Sequence, residues 1–307
     1  MRRFDVRQDL GAAEQAEVEE LLEAAWRADG ARPLNDHMWL DLREGGRRGY
    51  ACVIAREEGH GHIIGYCQVS RGNDSWQLDL VIHPHHRYDM NEIGPPMLGA
   101  AVDVIAGQGG GHVHWWVFEA NKMHAELASA AGLVPGRRLL QMRRALPLSP
   151  DESALVDGLV TEAFVPGQDE DDWLAVNNAA FGSHPEQGGW TRETIASRER
   201  EPWFDPDGFL LHRNNGRIDG FCWMKLHDED GSVTGEIYAI AVDPGSAPAG
   251  LGRRLAAAGL GRAASMGATT AMLHVDADNA RALRVYGMLG FTVHHTELAF
   301  TGDIAPR

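Results

Sequence analysis

The two halves of this chain carry the same succession of residues in the same order, and that duplication constrains the fold more than any single motif. In the first half, Ile63-Ile-Gly65-Tyr-Cys67 precedes Trp76-Gln-Leu-Asp-Leu-Val-Ile-His-Pro84. In the second, Arg217-Ile-Asp-Gly220-Phe-Cys222 precedes Glu236-Ile-Tyr-Ala-Ile-Ala-Val-Asp-Pro244. Asn121 with Ala131-Gly132-Leu133 is then mirrored by Asn279 with Leu289-Gly290-Phe291. A repeat this long means duplicated domains and not the short period of a solenoid. The 307 residues leave room for two domains of ordinary size. Two prolines and a charge pair break the hydrophobic pattern at Pro147-Leu-Ser-Pro150-Asp-Glu152, which puts the boundary there and the domains at 1–150 and 151–307.

Apolar residues recur at helical period over Ala12–Ala25, Asp171–Phe181, Leu255–Ala264 and Ala280–Leu289, and as strand-like runs over Ala51–Ala55, Ile63–Ser70 and Trp76–Ile82. The expected class is α/β (α+β), each half a mixed, mostly antiparallel sheet flanked by helices. A composition of 44% hydrophobic and 23% charged residues is that of a folded soluble chain. The opening Met-Arg-Arg-Phe-Asp leads into no apolar stretch, and no uncharged run spans a bilayer, so a cytoplasmic protein with no membrane partner is expected. Cys52, Cys67 and Cys222 are odd in number, far apart and set among strand residues, as reduced core cysteines are. A net charge of −16 argues against nucleic acid and suits a cationic amine. A monomer is expected.

The chemistry concentrates in the second half. There Glu236-Ile-Tyr-Ala-Ile-Ala-Val-Asp-Pro244 reads as a strand that leads into Gly250-Leu-Gly252-Arg-Arg-Leu255, a glycine turn opening a helix. Unpaired N–H groups and the positive end of the helix dipole make that a place for phosphate. Roughly one helix–strand unit later comes Asn279-Ala-Arg-Ala-Leu-Arg-Val-Tyr286-Gly-Met-Leu-Gly290-Phe291. Aligned with few gaps, the first half has Trp76 opposite Glu236, Ala128 opposite Tyr286, and Met90 and Glu92 opposite Gly250 and Gly252. A carboxylate where a pyrophosphate must approach costs room and like-charge repulsion. The first half is therefore expected to be catalytically silent, with Gly94-Pro-Pro-Met the one stretch able to rebuild the turn.

Together the strand, the glycine loop and the Asn–Tyr helix resemble the cofactor signature of the GNAT acyltransferases, which implies acetyl-CoA as acetyl donor, a small-molecule amine as acceptor, and no metal. In that chemistry Glu236 takes the amine's proton and Tyr286 protonates the departing sulfur. Backbone of Ile240, Ala241 and Val242 would lie along the thioester, Val242 and Ala241 offering an N–H to its oxygen. The loop Ala247, Pro248, Ala249, Gly250, Leu251, Gly252 and Arg253 would hold the cofactor with the helix start Asn279, Ala280, Arg281, Ala282, Leu283 and Arg284. In the first half, Val81, Ile82 and His83 form the corresponding strand segment. One departure is Ala247, where the family usually carries Gln or Arg, and Pro248 has no N–H to give.

The segment His184-Pro-Glu-Gln-Gly-Gly-Trp190, with Asn177-Asn-Ala-Ala-Phe181 before it and Trp203-Phe-Asp-Pro-Asp-Gly208 after it, is polar, glycine-bent and aromatic, as a pocket-lining loop is. With Gly235-Glu-Ile-Tyr238 and Gln141-Met-Arg-Arg144 it resembles the mycothiol synthases, tandem GNAT enzymes of actinobacteria, over nearly the whole chain. That resemblance implies transfer of acetyl to the cysteinyl amine of a cysteine–glucosamine–inositol conjugate. It also implies substrate contacts from Glu186, Lys225, Glu236 and His274, with Asp36 standing where that family has a longer glutamate. Taken singly, a lysine on a strand is commonly solvated, and a histidine or a helical tyrosine commonly packs in a core. Two other readings stay open: a GNAT enzyme acting on another small amine, and a tandem domain that binds acetyl-CoA without turnover. The histidine clusters His60-Gly-His62, His83-Pro-His85-His86 and His112-Val-His114 have no carboxylate or cysteine at ligand spacing.

Overall fold

The computed structural model describes residues 2–45, 49–57, 59, 61–72, 75–182, 188–229 and 231–307. It divides into two compact units, Met1–Leu139 with Thr296–Arg307, and Leu140–His295.

The first unit opens with β1 (Arg2–Arg7), α1 (Ala12–Asp29) and α2 (Asp36–Glu44), followed by β2 (Tyr50–Glu57), β3 (Ile63–Arg71) and β4 (Trp76–Ile82). Then come α3 (Met90–Gly107), β5 (Gly111–Phe118), α4 (Lys122–Ala130) and the start of β6 (Val134–Ala145). Val18, Leu21, Leu22 and Ala25 bury one stripe of α1, and the helix stops at Gly30, whose φ of 68° lets its N–H return to the Trp26 carbonyl. β1 to β4 are antiparallel neighbours in chain order, and β5 lies parallel to β4. Trp76, Leu78, Ile93, Met97, Trp115 and Leu127 fill the core under α3 and α4, while Leu21, Leu22, Tyr50 and Tyr66 fill the one under α1 and α2.

The second unit runs through α5 (Pro150–Ser153), β7 (Glu162–Ala163), α6 (Glu170–Ala180), α7 (Arg192–Glu199), β8 (Phe209–Asn214), β9 (Arg217–Glu229) and β10 (Ser232–Val242). It continues through α8 (Leu251–Ser265), β11 (Thr270–Asp276), α9 (Ala280–Met288) and the start of β12 (Thr292–Ile304). β7 to β10 are antiparallel and β11 is parallel to β10, the same plan as the first unit. α8 lies so close to β9 that a Cβ on Gly259 would sit 2.4 Å from Cys222 Sγ, so only glycine lets the helix approach there. Leu251, Leu255, Leu260, Leu273 and Leu289 pack beneath α8 and α9. On the other face Trp173, Trp190, Phe209, Phe221 and Trp223 make an aromatic core, with Phe209 and Trp223 stacked at 4.2 Å.

These units do not coincide with a cut at residue 150, because each half sends its last strand into the other unit. β6 enters the second unit at Leu140, where Met142 joins the core. Arg144 grips Glu152 there with two bonds of 2.6 and 3.0 Å and also reaches the Leu289 carbonyl. That guanidinium, chiefly through its hydrogen bond, lowers the Glu152 carboxyl to about 2. β12 leaves the second unit and pairs antiparallel with β5, from Glu297 opposite Phe118 to Ile304 opposite Gly111. A terminal strand satisfies its backbone wherever an open edge exists, and sequence periodicity carries no information about which edge.

Candidate active site

Glu236 lies on β10 with only 13% of its side chain exposed. His227 Nε2 sits 2.7 Å from its Oε2 and His274 Nδ1 sits 3.4 Å from its Oε1. Burial, the largest single influence, pushes this carboxyl up. The imidazoles of His227 and His274, first of all through their hydrogen bonds, outweigh it and hold the group well below the ordinary carboxylate range. The sequence reading included His274 and omitted His227. Its signal lies in the strand register and not in the sequence: Lys225 stands opposite Glu236 in the β9–β10 pairing, and His227, two residues on, projects from the same face of β9 as a diagonal neighbour.

One residue beyond Ile237 the strand changes character. Ile237 pairs with Met224 and Ala239 with Trp223, so Tyr238 is an extra residue, a β-bulge. The parallel ladder with β11 ends at the same point, Ile237 opposite Leu273, although β10 runs on to Val242 and β11 to Asp276. Ile240, Ala241 and Val242 therefore lie past the end of that ladder. They stay paired with β9, opposite Cys222, Phe221 and Gly220, while the pairing with β11 among the described residues covers only Thr234–Ile237.

The same ladder end corrects the alignment of the halves at Trp76. In the first unit the parallel ladder stops at Leu78 opposite Trp115, and β3 pairs with β4 without any register shift. Leu78 thus matches Ile237, and the residue matching Glu236 is Gln77, not Trp76. The bulge in the second half, absent from the first, shifts the frame by one. An amide at this position binds Asn35 and Asp79 at 2.9 and 3.0 Å and has no basicity at neutral pH.

The glycine loop has its own geometry. Gly250 caps α8 at φ 86°, a conformation that disfavours other residues, and α8 has no side-chain cap. A Cβ on Gly252 would meet only Val242 Cγ1 at an ordinary 3.7 Å, so nothing inside the protein demands glycine there. The Arg253 Nε is buried without a partner among the described residues. An uncapped helix start, a spare volume and an orphaned guanidinium nitrogen fit a pyrophosphate. Within the loop, the Ala247 and Leu251 N–H groups are already bonded to the Asp243 and Pro248 carbonyls, and Pro248 has none. That leaves Ala249, Gly250, Gly252 and Arg253 as the positions with most to offer.

α9 differs. Asn279 accepts from the Ala282 N–H at 3.0 Å, and the Asn279 and Ala280 N–H groups are bonded to Asp276 and Asp278. What α9 can give an anion is the side chains of Arg281 and Arg284, both exposed; Leu283 is half-buried against the core. Tyr286 is 8% exposed and packs edge-on to Phe291 at 5.8 Å. Burial pushes its hydroxyl above the ordinary phenol value, so it keeps its proton.

In the first unit the counterpart of the phosphate loop is filled. Asp89 and Glu92, at the start of α3, are both bound by Arg2, and Arg87 is held by Asp29 through two 2.6 Å bonds. Gly94, Pro95 and Pro96 lie inside α3, where a Cβ on Gly94 would press Leu127 at 3.0 Å. They form no turn. Val81 and Ile82 are paired with β3, and His83 caps the 3-10 turn that follows.

Lys225 holds its ammonium 4.6 Å from the Trp203 ring and 5.8 Å from Tyr238. Asp36 starts α2 in the first unit, its backbone alone being described. Glu186, with His184, lies outside the described residues. Burial pushes the thiols of Cys52 and Cys222 up to about 12, and Cys67 also well above its usual value, so all three are unreactive core groups. Among the described residues no three His, Cys, Asp or Glu side chains converge as metal ligands, and no helix is long and apolar enough to cross a membrane.

A profile of the Acetyltransferase (GNAT) family matches residues 173–291. The chain is 38% identical to a mycothiol acetyltransferase of Streptomyces bingchenggensis, over 97% of this chain and 96% of the relative. It is also 38% identical to one of Stackebrandtia nassauensis, over 98% and 99%. Among solved structures, a GCN5-related N-acetyltransferase from Sphaerobacter thermophilus superposes with a TM-score of 0.70 at 22% identity, over 99% of this chain and 96% of that one. A tandem GNAT protein from the clavulanic acid biosynthesis pathway gives 0.67 at 16% identity, over 99% and 100%. The two structures establish the fold, two tandem GNAT domains.

Proposed function

The chain belongs to the mycothiol acetyltransferase family of GNAT proteins, and from that membership we propose that it moves acetyl from acetyl-CoA to the cysteinyl amine of a cysteine–glucosamine–inositol conjugate. The observation that carries the substrate is the similarity to enzymes of that name over nearly the full length of both chains. The site in the second unit supports the reaction type.

Acetyl-CoA supplies an acyl group already activated as a thioester. Ala249, Gly250, Gly252 and Arg253 hold its pyrophosphate, with Arg281 and Arg284 adding positive charge. The Ala241 and Val242 backbone polarises the carbonyl oxygen. Glu236 binds the amine. An α-ammonium has an ordinary pKa near 8 and a glutamate one near 4.3, so removing the proton beforehand is uphill by about 5 kcal/mol, and by more for a carboxyl held low. The amine therefore reaches the thioester neutral, its first proton lost to solvent, and Glu236 accepts a second proton as the nitrogen bonds to the carbonyl carbon, when that N–H becomes a far stronger acid. Tyr286, protonated at rest, supplies the proton for the departing sulfur. Lys225 and His274 line the acceptor side.

Mass spectrometry of the conjugate after incubation with the protein and acetyl-CoA tests the assignment. Gain of one acetyl group on the amine, at a rate proportional to enzyme, is expected. No acetylation by a protein that still binds acetyl-CoA would transfer the assignment to another amine.

A further inference from the structure

The motif Gln141-Met142-Arg143-Arg144 on β6 has so far explained only half of itself. Met142 is core and Arg144 holds Glu152 and Leu289. Gln141 and Arg143 project from the opposite face of the strand, and there they meet His274. Arg143 Nε lies 2.9 Å from Gln141 Oε1, and Gln141 Nε2 lies 3.3 Å from His274 Nε2. The other nitrogen of that ring, Nδ1, faces Glu236.

The donor directions along this chain leave one consistent arrangement. A guanidinium N–H only donates, so the Gln141 atom turned to Arg143 is its oxygen. The atom turned to His274 is then the amide nitrogen, which also only donates, so His274 Nε2 accepts and carries no proton. The ring proton is on Nδ1 and points at the Glu236 carboxylate. A second ring proton would set N–H against N–H at Gln141, and turning the amide over would set N–H against N–H at Arg143. Among the described residues, the charged and titratable groups meeting this chain include Glu236 from β10, His227 from β9 across that carboxylate, and Arg143 from β6.

We propose that Gln141 and Arg143 are positioning residues that lock His274 as the neutral Nδ1–H tautomer, a fixed donor to Glu236 that cannot take the substrate's proton itself. The consequence for catalysis rests on Glu236 being the base, but the tautomer does not. With His274 locked, the carboxylate is aimed from one side by a neutral ring and from the other by His227, and the proton leaving the amine has Glu236 as its acceptor.

Nitrogen-15 NMR of the histidine rings in the full-length protein tests this, with His274→Gln identifying the resonance. The expected wild-type signal is a neutral ring protonated at Nδ1 at pH 7. Gln141→Glu is nearly isosteric and turns an acceptor toward Nε2, so His274 should become doubly protonated at that pH. Turnover should then fall on the order of 10–100-fold, as for other losses of a ligand-orienting partner, with the KM for acetyl-CoA unchanged. A wild-type ring protonated at Nε2, or one already charged at pH 7, overturns the lock even if the variant fails to fold. So does a Gln141→Glu ring that titrates like wild type. Absence of turnover on the conjugate with the expected tautomer in place would instead fault the substrate assignment.

Discussion

Glu236 combines burial, which disfavours its charge, with two imidazole donors, which favour it more strongly. A carboxylate stabilised this way is a weak base at equilibrium and a good acceptor only while the amine is becoming acidic, so removing its charge should affect the chemical step more than binding. Glu236→Gln keeps the volume and an acceptor oxygen. It is expected to lower kcat by about 10²–10⁴, the usual span for a lost general base, with little change in the KM for acetyl-CoA. Steady-state rates by mass spectrometry would check this, and a variant with wild-type kcat would leave Glu236 as an anchor for the histidines alone. Glu236 stood out in sequence because it lies in a strand directly before a glycine loop. His227 did not, because its link to Glu236 is a diagonal contact across two strands, and finding it needs the pairing register, which no single strand encodes.

Helices α8 and α3 begin at equivalent places in the two units and differ in what their first turns can accept. α8 begins at a left-handed glycine with no side-chain cap and spare volume at Gly252, whereas α3 begins with Asp89 and Glu92 neutralised by Arg2. Gly252→Glu should reproduce the closed condition, placing a carboxylate where the pyrophosphate would sit. Acetyl-CoA binding measured by calorimetry is expected to be lost, while Gly252→Ala, whose methyl meets only Val242, should fold normally and bind more weakly. Undiminished binding by the glutamate variant would move the cofactor away from α8. This difference between the halves was legible from the residues themselves. What misled the alignment at Trp76 was the bulge at Tyr238, since an inserted strand residue leaves the hydrophobic alternation intact on either side and becomes visible only as a register shift.

At the scale of the whole molecule, the duplicated halves do not coincide with the two compact units. The repeat and the proline-rich break after Ala145 both point to a cut near 150, and both are real features of the sequence, but neither records where a terminal strand docks. Expressing residues 151–307 would remove Leu140 and Met142 from the core of the second unit and leave Glu152 without Arg144. It would also strand Glu297–Ile304 without its partner β5. Losing the partner of a part-buried, doubly bonded carboxylate such as Glu152 costs about 1.5–3 kcal/mol, a sizeable share of the 5–15 kcal/mol that stabilises a typical domain. The 151–307 fragment is therefore expected to lack a cooperative thermal transition. A 140–295 fragment, which keeps β6 beside β11 and omits the strand that belongs to the other unit, should show one. Circular dichroism melts of the two fragments beside the full chain would decide. Cooperative unfolding of 151–307 would mean that the second unit tolerates an open edge at β11 and that the exchanged strands serve only to join the halves.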